Sequence, residues 1–77
     1  MNIEEQISRR RYEIKYLEAL SQQTIDIMNI NIRAKEWDHV KTASENLIYF
    51  DTRMGEILRE ISELTQAQEK EALEVVT

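Results

Sequence analysis

The chain has 77 residues, a formal net charge of −5, a single histidine and no cysteine or proline. This composition excludes disulfide bonds and argues against a structural metal, because there are no thiolates and no second histidine. The negative charge also argues against a protein that binds nucleic acid by neutralising phosphates, so we expect no nucleic-acid partner.

The residue types are typical of an all-α protein. Glu, Lys, Arg, Gln, Leu and Ile dominate, and the single glycine leaves few residues that form hairpins or tight loops. The N-terminus lacks a basic-then-apolar signal pattern, and no apolar run approaches the ~18 residues of a membrane span. We therefore expect a cytoplasmic protein without a membrane partner, built as one helical domain over residues 1–77.

The first predicted helix covers about residues 3–33. Asn2 is a plausible N-cap, with Glu5 three residues later. Steps of three and four then place one set of residues on a single side of the helix. This first ladder consists of Ile3, Ile7, Arg10, Ile14, Leu17, Ser21, Thr24 and Met28. Residues 25–32 partly alternate like a strand, but the alternation slips and the chain offers no second strand, so we predict helix.

A turn is predicted over residues 34–38, because the seven-residue pattern changes phase between Met28 and Val40. Asp38 is the candidate N-cap of the following helix. The same phase change also fits a stutter in one continuous helix of a coiled coil, which would be ~105 Å long over roughly 70 residues. The hairpin is the preferred prediction, and the continuous helix is the alternative.

The second predicted helix covers about residues 39–72, followed by a frayed C-terminus. Its apolar residues follow heptad spacing without a slip. This second ladder consists of Val40, Ala43, Leu47, Phe50, Met54, Ile57, Ile61 and Leu64. Such a stripe is stable only when another apolar surface covers it. The sequence therefore predicts an antiparallel, coiled-coil-like two-helix hairpin.

Folding back near residue 36 makes three further predictions. The run Arg9–Arg11 lies against Glu60 and Glu63, which gives the basic run a structural role. Tyr16 and Leu17 come opposite Gly55, so that a large side chain meets an absent one.

The third prediction concerns Trp37, whose indole we expect to close the end of the helical bundle as a plug.

Apolar residues beside the two ladders predict surfaces for other chains. Three of them suit a second copy, with which two hairpins form a homodimeric four-helix bundle. These dimer-interface candidates are Ile25, Ile32 and Leu58. They could instead broaden the seam within one chain. Further out lie residues whose exposure would favour contact with a protein partner. These partner-binding candidates are Tyr12, Tyr16, Ile30, Ile48 and Tyr49.

The function that the sequence favours is protein interaction rather than catalysis. No Gly-rich phosphate loop, His–carboxylate cluster or cysteine nucleophile is present, so we expect no enzyme activity, catalytic residue or cofactor. We predict an adaptor, chaperone or regulator that presents a helical face to a larger protein. The alternative is an acidic inhibitor that covers a basic, nucleic-acid-binding surface, since residues 36–77 carry ten acidic and four basic side chains. Small phage- or plasmid-encoded regulators share this size and hairpin architecture.

Overall fold

A computed structural model of the protein describes the backbone of residues 2–76 and the side chains of residues 2–74. Helix α1 runs over Ile3–Arg33 and helix α2 over Trp37–Val76. The described residues contain no strand, so the strand considered for residues 25–32 is not formed. Met1 and Thr77, the ends of the predicted domain, lie outside the described residues.

Helix α1 begins as its sequence predicts. The side chain of Asn2 accepts a hydrogen bond of 2.8 Å from the backbone N–H of Glu5. This bond satisfies one of the N–H groups that have no partner within the first turn. Glu4 and Glu5 also place negative charge near the positive end of the helix dipole.

The turn is shorter than predicted and is formed by Ala34, Lys35 and Glu36. Lys35 has a left-handed backbone with φ of 58°. Its N–H donates to the carbonyl of Ile32 at 3.1 Å, and the N–H of Glu36 donates to the carbonyl of Asn31 at 2.9 Å. This pair of bonds is the Schellman motif that ends many helices, with lysine at the position where glycine is usual.

Helix α2 differs from its predicted bounds at both ends. It begins at Trp37, and the N–H of Val40 donates to the carbonyl of Glu36, so Asp38 lies in the first turn and is not the N-cap. At its other end the helix continues to Val76 instead of fraying after residue 72.

The chain folds back on itself as an antiparallel hairpin. Near the turn the Ser44 hydroxyl lies 3.6 Å from the sulfur of Met28, and further out Arg10 contacts Glu60. The continuous-helix alternative is therefore wrong. In this register the start of α1 lies level with about residue 67, so the last ~13 Å of α2 extends beyond it. The molecule measures 64 × 15 × 14 Å.

The two predicted ladders form the seam between the helices. All their members are buried or half-buried, and the most buried are Ile7, Leu17, Ala43 and Ile57. Hydroxyl groups along the seam are satisfied by their own helix. Ser21, Thr24, Ser44 and Thr65 each donate to the carbonyl four residues earlier, at 2.8–2.9 Å.

Two predicted contacts do not form. A Cβ atom built on Gly55 would meet nothing within 4 Å, and Tyr16 is exposed, so the predicted contact of Tyr16 and Leu17 with Gly55 is wrong. The reason is rotation along the helix: Gly55 follows the seam residue Met54 and therefore points about 100° away from it. Trp37 is 60% exposed, so it does not close the end of the hairpin within one chain.

The hairpin leaves much of the chain in contact with solvent. Its accessible surface is 6157 Å². A compact monomer of 9.2 kDa would expose about 4,900 Å². The difference reflects a two-helix rod in which each helix covers only one side of the other. Large apolar side chains consequently remain exposed on both sides of the seam.

Candidate interaction surfaces

A network of charged groups crosses the seam in the half of the hairpin away from the turn. The Arg53 guanidinium donates to Glu13 of α1 at 2.9 Å and to Glu56 of its own helix at 3.3 Å, and lies 3.8 Å from Glu60. Glu60 in turn accepts from Arg10 at 3.1 Å. The side chains are about one-third to one-half exposed, so each pair contributes only modestly to stability.

The prediction for the basic run is thus confirmed for Arg10 and Glu60. Arg9, Arg11 and Glu63 are exposed and form no ion pair among the described residues. The contact between Arg53 and Glu13 was not predicted. Its only sequence signal is that both residues directly precede a seam position, Met54 and Ile14, and therefore lie on the same side of the seam in an antiparallel pair.

Hydrogen bonding raises the pKa of Arg53. The bond to Glu13 is the largest cause and the bond to Glu56 the second, while partial burial acts in the opposite direction. A cation whose pKa is raised on folding stabilises the fold at every pH below its unfolded pKa. This contribution is lost only as pH rises through the folded value, so the guanidinium stays charged throughout the neutral range.

Two shallow grooves, both open to solvent, show which residues lie on each side of the seam. On the side of the Glu13–Arg53 pair and near the turn, a groove is lined by residues from both helices, including Ile27, His39, Thr42 and Asn46. A groove on the opposite side, near the free ends, is lined by Glu4, Ser8, Arg11, Thr65 and Gln68. Because residues seven apart share a side of a coiled-coil helix, these grooves assign the positions beside the seam to one flank or the other.

The first side, which we call the tyrosine flank, consists of Tyr16, Leu20, Ile27, Ile30 and Tyr49. Its α1 members are spaced by four, seven and three residues, so they form two apolar pairs, about 10 Å apart, along one side of α1 beside the seam. Leu20 is half-buried and the others are at least 57% exposed. The ring of Tyr49 packs edge-on against the ring of Phe50, with centroids 6.0 Å apart, and this contact holds the tyrosine ring beside the seam.

The second side, which we call the tryptophan flank, consists of Ile25, Ile32, Trp37, Ile48 and Leu58. Ile25 and Ile32 continue the seven-residue series of Glu4 and Arg11, and Leu58 precedes Thr65 by seven residues. Ile25 is half-buried, Ile32 is 42% exposed, and Trp37, Ile48 and Leu58 are 58–67% exposed. Packing within one chain therefore leaves this flank largely uncovered.

The predicted surface residues are distributed over both flanks. The three dimer candidates Ile25, Ile32 and Leu58 share the tryptophan flank. Of the partner-binding candidates, Tyr16, Ile30 and Tyr49 lie on the tyrosine flank, and Tyr12, 77% exposed, lies one turn before Tyr16 on the outer edge of α1. Ile48 belongs to the opposite flank.

Leu20 and Ile27 complete the tyrosine flank and were not among the predicted partner-binding residues. Their spacing of seven, between Tyr16 and Ile30, was the signal in the sequence that could have found them.

Among residues 2–76, no three His, Cys, Asp or Glu side chains converge in a way that could hold a metal ion. Neither α1 nor α2, over the same residues, contains an apolar stretch of the length that would cross a membrane. No family model, curated protein or solved structure matches this chain.

Proposed function

We propose that the protein is a non-enzymatic interaction module that presents the tyrosine flank to a larger protein partner. The observation that carries this proposal is the stripe formed by Tyr16, Leu20, Ile27 and Ile30. Exposed apolar and aromatic residues arranged along one flank are characteristic of protein-binding sites, and tyrosine is a frequent anchor in them. An adaptor, a chaperone and a regulator would all use such a surface.

The shape of the flank supports a helical or extended partner segment. The stripe runs from Tyr16 to Ile30, which is about 21 Å along the helix axis. It ends beside the groove that contains Ile27, His39 and Asn46. A partner helix laid along the flank would place apolar residues at three- and four-residue spacing on the stripe and polar residues in the groove.

The acidic-inhibitor alternative has less support. Of the ten acidic side chains in residues 36–77, Glu56 and Glu60 are engaged by Arg53 and Arg10, which reduces the free acidic surface of α2. An inhibitor that relies on acidic side chains would present them free, because each engaged carboxylate must first exchange its internal partner.

Affinity capture from cell lysate at about 0.1 and 0.5 M NaCl tests the proposal, since salt screens exposed charges but not apolar contacts. We expect one protein to be retained at both salt concentrations by the wild type. Tyr16→Ser should lose it. Lys15→Ser should keep it, because that exposed neighbour points to the other side of α1.

Retention that survives Tyr16→Ser and disappears at high salt would contradict the proposal and favour the acidic surface. Retention that is lost equally in both variants would also contradict it, because the loss would then not depend on the tyrosine flank.

A further inference from the structure

The tryptophan flank is a second uncovered surface, separate from the one used above. We propose that a second copy of this chain binds to it, so that two hairpins form a four-helix bundle. The two copies are related by a two-fold axis that is perpendicular to the helices and lies about 17 Å from the turn. Each helix then packs antiparallel against its own counterpart.

The apolar and small residues of α2 match under this axis. Axial positions follow from 1.5 Å per residue, counted from Lys35. Trp37 lies about 3 Å from the turn and Gly55 about 30 Å, so the axis brings the indole of one copy onto the glycine of the other. Ser44 lies at about 14 Å and Ile48 at about 20 Å, so the axis exchanges them. Both contacts place a large side chain against a small one.

Gly55 is otherwise unexplained by the hairpin. It is exposed within α2, where glycine favours helix less than alanine does. A Cβ atom there would meet nothing within 4 Å, so the single chain has no steric reason for glycine. The approach of Trp37 from a second copy supplies that reason, because the indole needs the space that a side chain would fill.

Charge selects this axis over the other two-fold arrangement. Glu18 of α1 and Asp51 of α2 both lie on the tryptophan flank, at nearly the same distance from the turn, about 25 Å. Neither forms an ion pair among residues 2–74. An axis parallel to the helices would bring these carboxylates of both copies together. The perpendicular axis instead places Lys41, about 9 Å from the turn, opposite Asp51 of the second copy.

Ile25 lies close to the axis, about 15 Å from the turn, and meets its own counterpart. The overlap extends over about 33 Å of each hairpin, whose width is 15 Å. Each copy therefore covers about 500 Å², and the pair about 1,000 Å², which is the lower limit for a specific interface and is typical of a weak dimer. The dimer leaves a tyrosine flank on each outer side, so it can hold two partner molecules at once.

Sedimentation equilibrium on the purified protein tests the dimer without any partner. We expect the wild type at about 100 µM to have twice the 9.2 kDa mass of one chain. Ile48→Gln should raise the dimer dissociation constant at least about tenfold. Tyr49→Gln is the matched control, because it is the adjacent residue, equally exposed, on the opposite flank, and should leave the constant unchanged.

Two further variants test the register. Gly55→Gln should keep or raise helicity by circular dichroism and weaken the dimer at least about tenfold, because glutamine favours helix but fills the space for Trp37. Lys41→Glu and Asp51→Lys should each weaken the dimer, and the double variant should restore it. The proposal is overturned if the wild type sediments as a single chain of 9.2 kDa, or if Tyr49→Gln weakens the dimer more than Ile48→Gln does. It is also overturned if Gly55→Gln leaves the dimer dissociation constant unchanged, or if the double charge variant does not restore that constant. These results do not bear on the proposed function, because the dimer is measured on purified protein without the partner of the tyrosine flank.

Discussion

Lys35 adopts a conformation that glycine adopts more easily, and Lys35→Gly should therefore stabilise the hairpin. At φ of 58° the Cβ of an L-residue crowds the following carbonyl oxygen, which costs roughly 1–2 kcal/mol. Glycine avoids this crowding but loses about 0.5–1 kcal/mol more backbone entropy on folding. The midpoints of these ranges leave a net stabilisation of about 0.75 kcal/mol, which corresponds to a rise of about 3–6 °C in Tm for a chain of this size.

The measurement is urea unfolding followed by circular dichroism, at one protein concentration for all variants because association would also shift the midpoint. Ala34→Gly is the matched control. Ala34 is the preceding residue and has an ordinary right-handed backbone with φ of −81°. Glycine there relieves no strain and should destabilise by about 0.5–1 kcal/mol.

Opposite signs at two adjacent positions would establish that backbone strain at Lys35, and not a general effect of glycine in the turn, sets the result. Equal destabilisation by both substitutions would refute the reasoning. In that case the Schellman motif at the end of α1 would not be the conformation that the turn adopts in solution.

Three other substitutions test the packing, the charged network and the N-cap. Ile57→Ala removes the one large side chain among residues 2–74 that has no exposed surface. It should cost about 3 kcal/mol in urea unfolding, clearly more than Ile61→Ala at a half-buried position. Arg53→Met should lower the urea midpoint more than the control Arg59→Met does. About 0.5 M NaCl should reduce the difference between the two midpoints, because the ion pairs of Arg53 are partly exposed and therefore screened by salt. Asn2→Ala should cost about 1 kcal/mol and speed amide hydrogen exchange in the first turn; unchanged exchange at Glu5 would show that the cap bond is absent in solution.

The seam between the helices was predictable from the three- and four-residue spacing of the two ladders. Every residue of the two ladders is buried or half-buried, including Arg10, Ser21 and Thr24, which apolarity alone would have omitted. The three- and four-residue steps fix which side of each helix faces its neighbour, whatever the residue type. The pattern predicted the all-α class and favoured the hairpin, and the contacts between the helices exclude the continuous helix that the same pattern also allowed.

The turn and the cross-helix contacts were less accessible to the same reasoning. Lys35 carries no sequence signal for a left-handed backbone, since lysine at this position is uncommon and its strain is offset by the two hydrogen bonds of the motif. Pairing residues only by their distance from the turn placed Tyr16 opposite Gly55. That distance does not describe the direction in which each side chain points around its helix. Rotation puts these two residues on opposite flanks and puts Glu13 beside Arg53.

Two separate interaction surfaces, one on each flank, explain why a chain this small exposes so many apolar residues. A single hairpin could bury one stripe per helix and remain polar elsewhere, as a soluble monomeric coiled coil would. Here α1 carries apolar residues on both sides of its seam stripe, and α2 carries Ile48 and Tyr49 side by side, one for each flank. A monomer that binds one partner would need only one of these sides. Two uncovered sides suit a protein that pairs with itself on one flank and binds a partner on the other, and the Ile48 and Tyr49 substitutions separate the two contacts.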